Sequence, residues 1–220
     1  MSENLIPPDE RPRALSEGGD AILDGSDALI AALIELERHV GTSGWDQAPR
    51  LFALVNTDSI IAADPELADR LGLRGSAEGG HPDALTAVEQ DQFQPSEDLL
   101  EDLSAIYWPD TVHGCALSLE STFLPPGAEA DIPDDPELAT QYVSTHDDRL
   151  ELRVVTGVDR AGHTHGVARM RSEPEELLGS PDMVPGLTEA LVQTLTDPGQ
   201  PADTDDAVAR HAAAPDNQEQ

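Results

Sequence analysis

Apolar residues recur first at helical spacing. Leu29, Leu33, Leu36 and Val40 fall four, three and four apart, with Ile30 and Ile34 beside them, so the pattern predicts an amphipathic helix over Ser26–Val40. Ser26 or Asp24 offers a cap for the first amides. Arg38 and His39 suit the negative end of the helix dipole, and Gly41 suits a left-handed exit. After the turn residues from Gly44 to Pro49, the unbroken apolar run Leu51–Val55 predicts a central strand covered on both faces. Thr57 then opens a helical stretch through Ile60 and Ile61. Asp64-Pro65 restarts it as N-cap and first helical residue, and Gly72 stops it. Gly75, Gly79, Gly80 and Pro82 mark a loop, and Thr86–Phe93 commits to neither period. Ser96 is the expected cap of a further helix carrying Leu99, Leu100, Leu103, Ile106 and Tyr107. Pro109 ends that helix near Trp108.

The second half alternates instead. Cys115, Leu117, Leu119, Ser121 and Phe123 share one side of a strand, and Leu150, Leu152, Val154, Thr156 and Val158 form a second such set. Asp159-Arg160-Ala161-Gly162 is a turn, and Thr164–Arg171 returns as its hairpin partner. Leu187, Leu191 and Leu195 predict a last helix starting near Val184 or Pro185. Helix, strand, helices, three strands and a helix predict one α+β domain over residues 21–197: a mostly antiparallel sheet of about four strands, packed with the N- and C-terminal helices. Residues 1–20 lack apolar periodicity and are expected to form a flexible arm, and residues 198–220 a disordered acidic tail.

Charge narrows the chemistry. The chain has no lysine; its 12 basic residues are arginines against 44 Asp and Glu, a formal net charge of -32. Without lysine there is no Schiff-base nucleophile and no Walker-type phosphate site. Nucleic acid and anionic membranes are disfavoured partners for so negative a surface. Arginines such as Arg50, Arg153 and Arg169 remain to greet an anionic ligand. The single cysteine, Cys115, excludes an intramolecular disulfide and the usual thiolate zinc sites. No secretory signal or apolar span is evident in the sequence, so the expected location is cytoplasmic. No cofactor fingerprint is present, so no cofactor is expected.

Four features bear on chemistry. His163 and His165 lie two apart, which in a strand projects both imidazoles to one side, where His113, His146 or a carboxylate would complete a metal sphere. The opposing expectation is a solvated face beside the hairpin turn. Cys115 is a nucleophile only if His113 shares its strand; otherwise it is core. Asp131, Asp134, Asp135, Asp147 and Asp148 are carboxylate clusters without EF-hand spacing. Trp45 and Trp108, the only tryptophans, each precede a predicted strand and are candidate anchors for a partner or ligand, with Arg50 beside the first.

Gly44-Trp45-Asp46-Gln47-Ala48-Pro49-Arg50-Leu51-Phe52-Ala53-Leu54-Val55, Val88-Glu89-Gln90, Tyr107-Trp108-Pro109-Asp110 leading into Gly114-Cys115-Ala116-Leu117, and Val184-Pro185-Gly186-Leu187 together resemble an uncharacterised family of small acidic proteins from high-GC actinobacteria. The similarity spans roughly residues 26–196. It implies a cytoplasmic bacterial origin and attributes the missing lysine to genome composition rather than to a saline habitat; it carries no activity and no catalytic residue. The sequence therefore favours a non-catalytic protein-interaction module, adaptor or chaperone-like, with an unidentified protein partner and an unspecified oligomeric state. The alternatives are a small metal-dependent hydrolase built on His163 and His165, and an acidic decoy for a basic protein.

Overall fold

The computed structural model describes residues 13–14, 25–124, 127–133 and 135–196. Two-layer packing is not enough for this chain, because strands such as Leu51–Val55 are apolar on both sides. The helices α1 (Gly25–Gly41) and α6 (Pro185–Leu195) resolve that by lying on opposite faces of one antiparallel sheet. The strands are β1 (Arg13–Ala14), β2 (Arg50–Asn56), β3 (Leu85–Glu89), β4 (Gly114–Phe123), β5 (Leu150–Asp159), β6 (Thr164–Met170) and β7 (Leu177–Ser180). Their order is β1-β7-β6-β5-β4-β2-β3, with every pairing antiparallel.

Six strands of four or more residues, extended at one edge by the two-residue β1, replace the expected sheet of about four. The two missed are β3 and β7, the short strands at each side of the sheet. At five and four residues they are too brief for alternation to stand out. Of the expected arm over residues 1–20, only Arg13–Ala14 is described, paired with Gly179 and Leu178. The rest of the arm, and the tail over 198–220, lie outside the described residues.

Each face has its own core. Leu29, Leu33, Leu36 and Val40 of α1 pack on Phe52, Leu54, Ala116, Val155 and Val167. A Cβ at Gly157 would meet Leu33 Cδ2 at 2.6 Å, so this glycine lets α1 settle on β5. On the other face, Leu187, Leu191 and Leu195 pack with Leu51, Ala53, Cys115, Leu117 and Val158. Leu103 of α4 (Leu99–Ser104) joins them. Asp98 rather than Ser96 caps α4, accepting the Glu101 amide at 3.0 Å. The helices α2 (Thr57–Ala63) and α3 (Pro65–Leu71) follow the Asp64-Pro65 signal, with Asp64 accepting the Leu67 amide at 2.9 Å. A helix absent from the sequence reading, α5 (Pro136–Thr145), starts in the same way, with Asp135 accepting the Leu138 amide at 3.1 Å.

Arginine joins the ends of these elements. Arg160, in the β5–β6 turn, donates to the carbonyls of Val112, Leu195, Trp108 and Pro109, at 2.8, 2.6, 2.9 and 3.2 Å. It thereby ties the last carbonyl of α6, that of Leu195, to the loop before β4, a favourable cation at a helix C-terminus.

Candidate functional site

Two surface regions stand out: a charged corner around Trp45 and an apolar groove beside β3. The corner begins with a buried ion. Glu37, 1% exposed, projects from the sheet-facing side of α1 toward Arg153 of β5 and Arg169 of β6, which are direct cross-strand neighbours. Its carboxylate accepts from Arg169 Nε at 2.8 Å and Nη2 at 2.7 Å, and from Arg153 Nη1 at 3.4 Å. The hydrogen bond to Glu37 holds the Arg169 pKa above its ordinary value. Arg153, 2% exposed, also approaches Glu120 at 3.5 Å and lies under the Trp45 ring, 4.4 Å from its centroid.

Outside that layer, Arg171 stands 5.5 Å from the same ring. It bonds Asp46 at 3.0 and 3.2 Å and Glu151 at 3.0 Å. Arg149 reaches Glu151 at 3.1 Å. Asp46 has φ 66, the only positive value on a non-glycine residue among those described. Its amide donates to Glu120 Oε2 at 2.6 Å, which fixes this left-handed turn, a conformation Asp tolerates. Trp45, Asp46, Glu120, Ser144, Arg149 and Arg171 help line an open hollow of about 490 Å³. Four arginines, 149, 153, 169 and 171, thus meet four carboxylates, 37, 46, 120 and 151, and the corner's formal charge is zero. Its cations are committed to one another's counter-ions rather than to an incoming anion.

The sequence candidates separate. Trp108 is 6% exposed in the α6-side core, where its indole N–H donates to Thr194 Oγ1 at 3.0 Å. It has no surface to offer as an anchor, and Trp45 alone of the pair lies at the surface. Arg50 is held by Glu89, with Nε to Oε1 at 2.6 Å. This bond raises the Arg50 pKa and lowers that of Glu89.

His163 bonds Asp159 through its ring Nδ1 at 2.8 Å and through its amide at 2.9 Å. With His113 it lines a cavity of about 220 Å³. His165 does not line it: the ring is 8% exposed in the sheet, its Nε2 has no hydrogen-bond partner, and burial lowers its pKa. No cluster of three or more His, Cys, Asp or Glu able to hold a metal ion occurs among the described residues. Cys115 is fully buried beside Thr194, 3.4 Å away, and burial pushes its thiol up to about 11. The thiolate needed for attack is therefore scarce at neutral pH. His113 instead lines the cavity with Ala28 of α1, away from the α6-side core that holds Cys115.

The second region carries no motif in the sequence. Ala32, Glu35, Leu36 and His39 of α1 face Leu85, Ala87 and Glu89 of β3 across a groove of about 330 Å³, with Phe52 and Leu73 also lining it. β3 pairs with β2 alone. Thr57 N–H donates to Ala84 O at 2.8 Å and Gln90 N–H to Leu51 O at 2.9 Å. With the register Ala53↔Val88 and Val55↔Thr86, those bonds turn the backbone groups of Thr86 and Val88 toward β2. The amides and carbonyls of Leu85, Ala87 and Glu89 consequently point away from the sheet. No described strand meets them.

Residues 29–196 match a family described as PPA1309-like protein. The chain belongs to this family. The match contains both the Trp45 corner and β3, and runs from the first core leucine of α1 past the end of α6. It carries no assigned function. No curated protein and no solved structure matches the chain. Among the described residues, no helix is long and apolar enough to cross a membrane.

Proposed function

We propose that this member of the family is a non-catalytic protein-interaction module, and that its binding face is the outer edge of β3 with the adjoining α1 groove. The observation carrying this reading is the combination of outward backbone groups at Leu85, Ala87 and Glu89 with the partly buried apolar side chains of Leu85 and Ala87, backed by the core residues Leu36 and Phe52. Backbone groups on a sheet edge supply affinity for an added strand, and pockets for alternate side chains supply selectivity. Helices α1 and α6 cover the middle of the sheet on its two faces, and the edge beyond β3 is a part of the sheet able to receive a partner. A cytoplasmic setting suits this role.

The test is capture of a stoichiometric partner from extracts of the producing cells by the intact chain and by two variants. Ala87→Pro removes an outward amide while sparing the pairing with β2, a position where an edge strand tolerates proline. Trp45→Ala alters the corner. Loss of the partner with Ala87→Pro and its retention with Trp45→Ala is the expected pattern; the reverse pattern would refute the β3 face.

A further inference from the structure

Building on the interaction reading, we infer that the occupant of the β3 edge is an extended cationic segment of another protein. Its side chains follow the order cation, any, apolar, any, apolar, any, cation. The strand, with Asp83 in the turn just before it, sets this order. Leu85, Ala87 and Glu89 share the α1 side of β3, and Asp83 stands two residues before Leu85 and lines a cavity together with it. Acid, apolar, apolar, acid therefore recurs at two-residue spacing from Asp83 to Glu89. A strand added to the outer edge lays each side chain beside its cross-strand neighbour, so it matches apolar to apolar and cation to acid. The pattern reads the same in both directions, so it fits parallel and antiparallel addition alike.

Ala87 is small, and the groove it lines, about 330 Å³, leaves room for a bulky aliphatic side chain. Glu89 is already held by Arg50 through both carboxylate oxygens, so the carboxylate that meets the incoming cation at this end is Glu35, which lines the same groove from α1.

Charge decides among possible occupants. A second copy brings another formal -32 to the contact. The chain's own residues 197–220 hold six carboxylates against one arginine, so they too are repelled. A cationic partner is drawn in by the same field, which raises its association rate most at low salt.

The probe is a seven-residue peptide with blocked ends, arginine at both ends, valine at its third and fifth places and threonine elsewhere. It is titrated against the full chain labelled for NMR. Saturable binding is expected, with shifts centred on Leu85–Glu89, weakened about tenfold when salt is raised from roughly 0.05 to 0.5 M. Glu35→Arg, an exposed substitution, weakens it about fivefold or more, and methylation of the inner peptide amides abolishes it.

If a peptide with glutamates at both ends binds equally well, the inferred charge pattern is wrong. The β3 face itself is then judged separately by the Ala87→Pro capture. Undiminished binding by the methylated peptide overturns strand addition and points to diffuse charge attraction, as in an acidic decoy. Absence of binding, or shifts confined to the Trp45 corner, overturns the inference outright.

Discussion

The Trp45 corner and the β3 edge lie on one sheet and differ in whether their bonding is closed. At the corner, Glu37 is shared by Arg153 and Arg169, Arg171 by Asp46 and Glu151, and Trp45 covers the buried arginine. At the edge, the outward groups of Leu85, Ala87 and Glu89 meet no described strand and sit beside an apolar groove. The more conspicuous chemistry therefore belongs to the structure's own stability, and the proposed function places recognition on the plainer strand. A dense cluster of charges and a half-buried aromatic ring do not mark a binding site when every charge already has its counter-ion.

The largest expected effect tests the closed region. Glu37→Ala leaves two arginines, one almost fully buried, without their shared carboxylate. Removing one partner of a buried ion pair typically costs about 3–5 kcal/mol. Urea unfolding should show a loss of that size; a change below about 1 kcal/mol would mean the pair is not buried in solution.

Next comes the thiol of the α6-side core. Folded Cys115 keeps its proton up to about 11 from an ordinary 9.0, so between those values the native state binds more protons than the unfolded chain. Its contribution is complete below pH 9 and is lost as pH rises through 11. The loss is on the order of 2 to 3 kcal/mol. Cys115→Ala should flatten that alkaline fall, and a wild-type slope unchanged by the substitution would show the core to be open to water.

Trp45→Ala removes two cation–π contacts and uncovers Arg153, so a loss of about 1 to 2 kcal/mol is expected, with peptide binding unaltered. A fall in binding larger than the fall in stability would move recognition back to the corner. Glu35→Arg has the smallest expected stability effect, within about 0.5 kcal/mol as for most surface changes, yet it should weaken the cationic peptide. That inversion between stability and binding is the sharpest form of the contrast.

Sequence periodicity located α1, β2, β4, the β5–β6 hairpin and α6, because each is long enough for its period to show. The start of α5 is also written in the sequence: Asp64-Pro65-Glu66-Leu67-Ala68 recurs unchanged as Asp135-Pro136-Glu137-Leu138-Ala139, and in both the aspartate receives the amide three residues on. Glu37 also left a trace. It falls four residues after Leu33 and three before Val40, on the apolar stripe rather than off it. The hairpin register sets Arg153 opposite Arg169, and like charges directly opposed call for an anion between them.

The His163–His165 spacing does not by itself put the two rings on one side. His163 lies before β6 begins, so strand alternation does not relate the two rings, and Asp159 draws His163 to the turn. What no periodicity reveals is which strand ends the sheet. Leu85–Glu89 becomes an edge only through the order in which distant segments pair.

Amide exchange at β3 is the most direct measurement. In the free chain, Leu85, Ala87 and Glu89 should exchange much faster than Thr86 and Val88, and the added peptide should slow those three selectively. Uniform protection along β3 before any peptide is added, or no gain in protection when it binds, would contradict the open edge on which the proposed function rests.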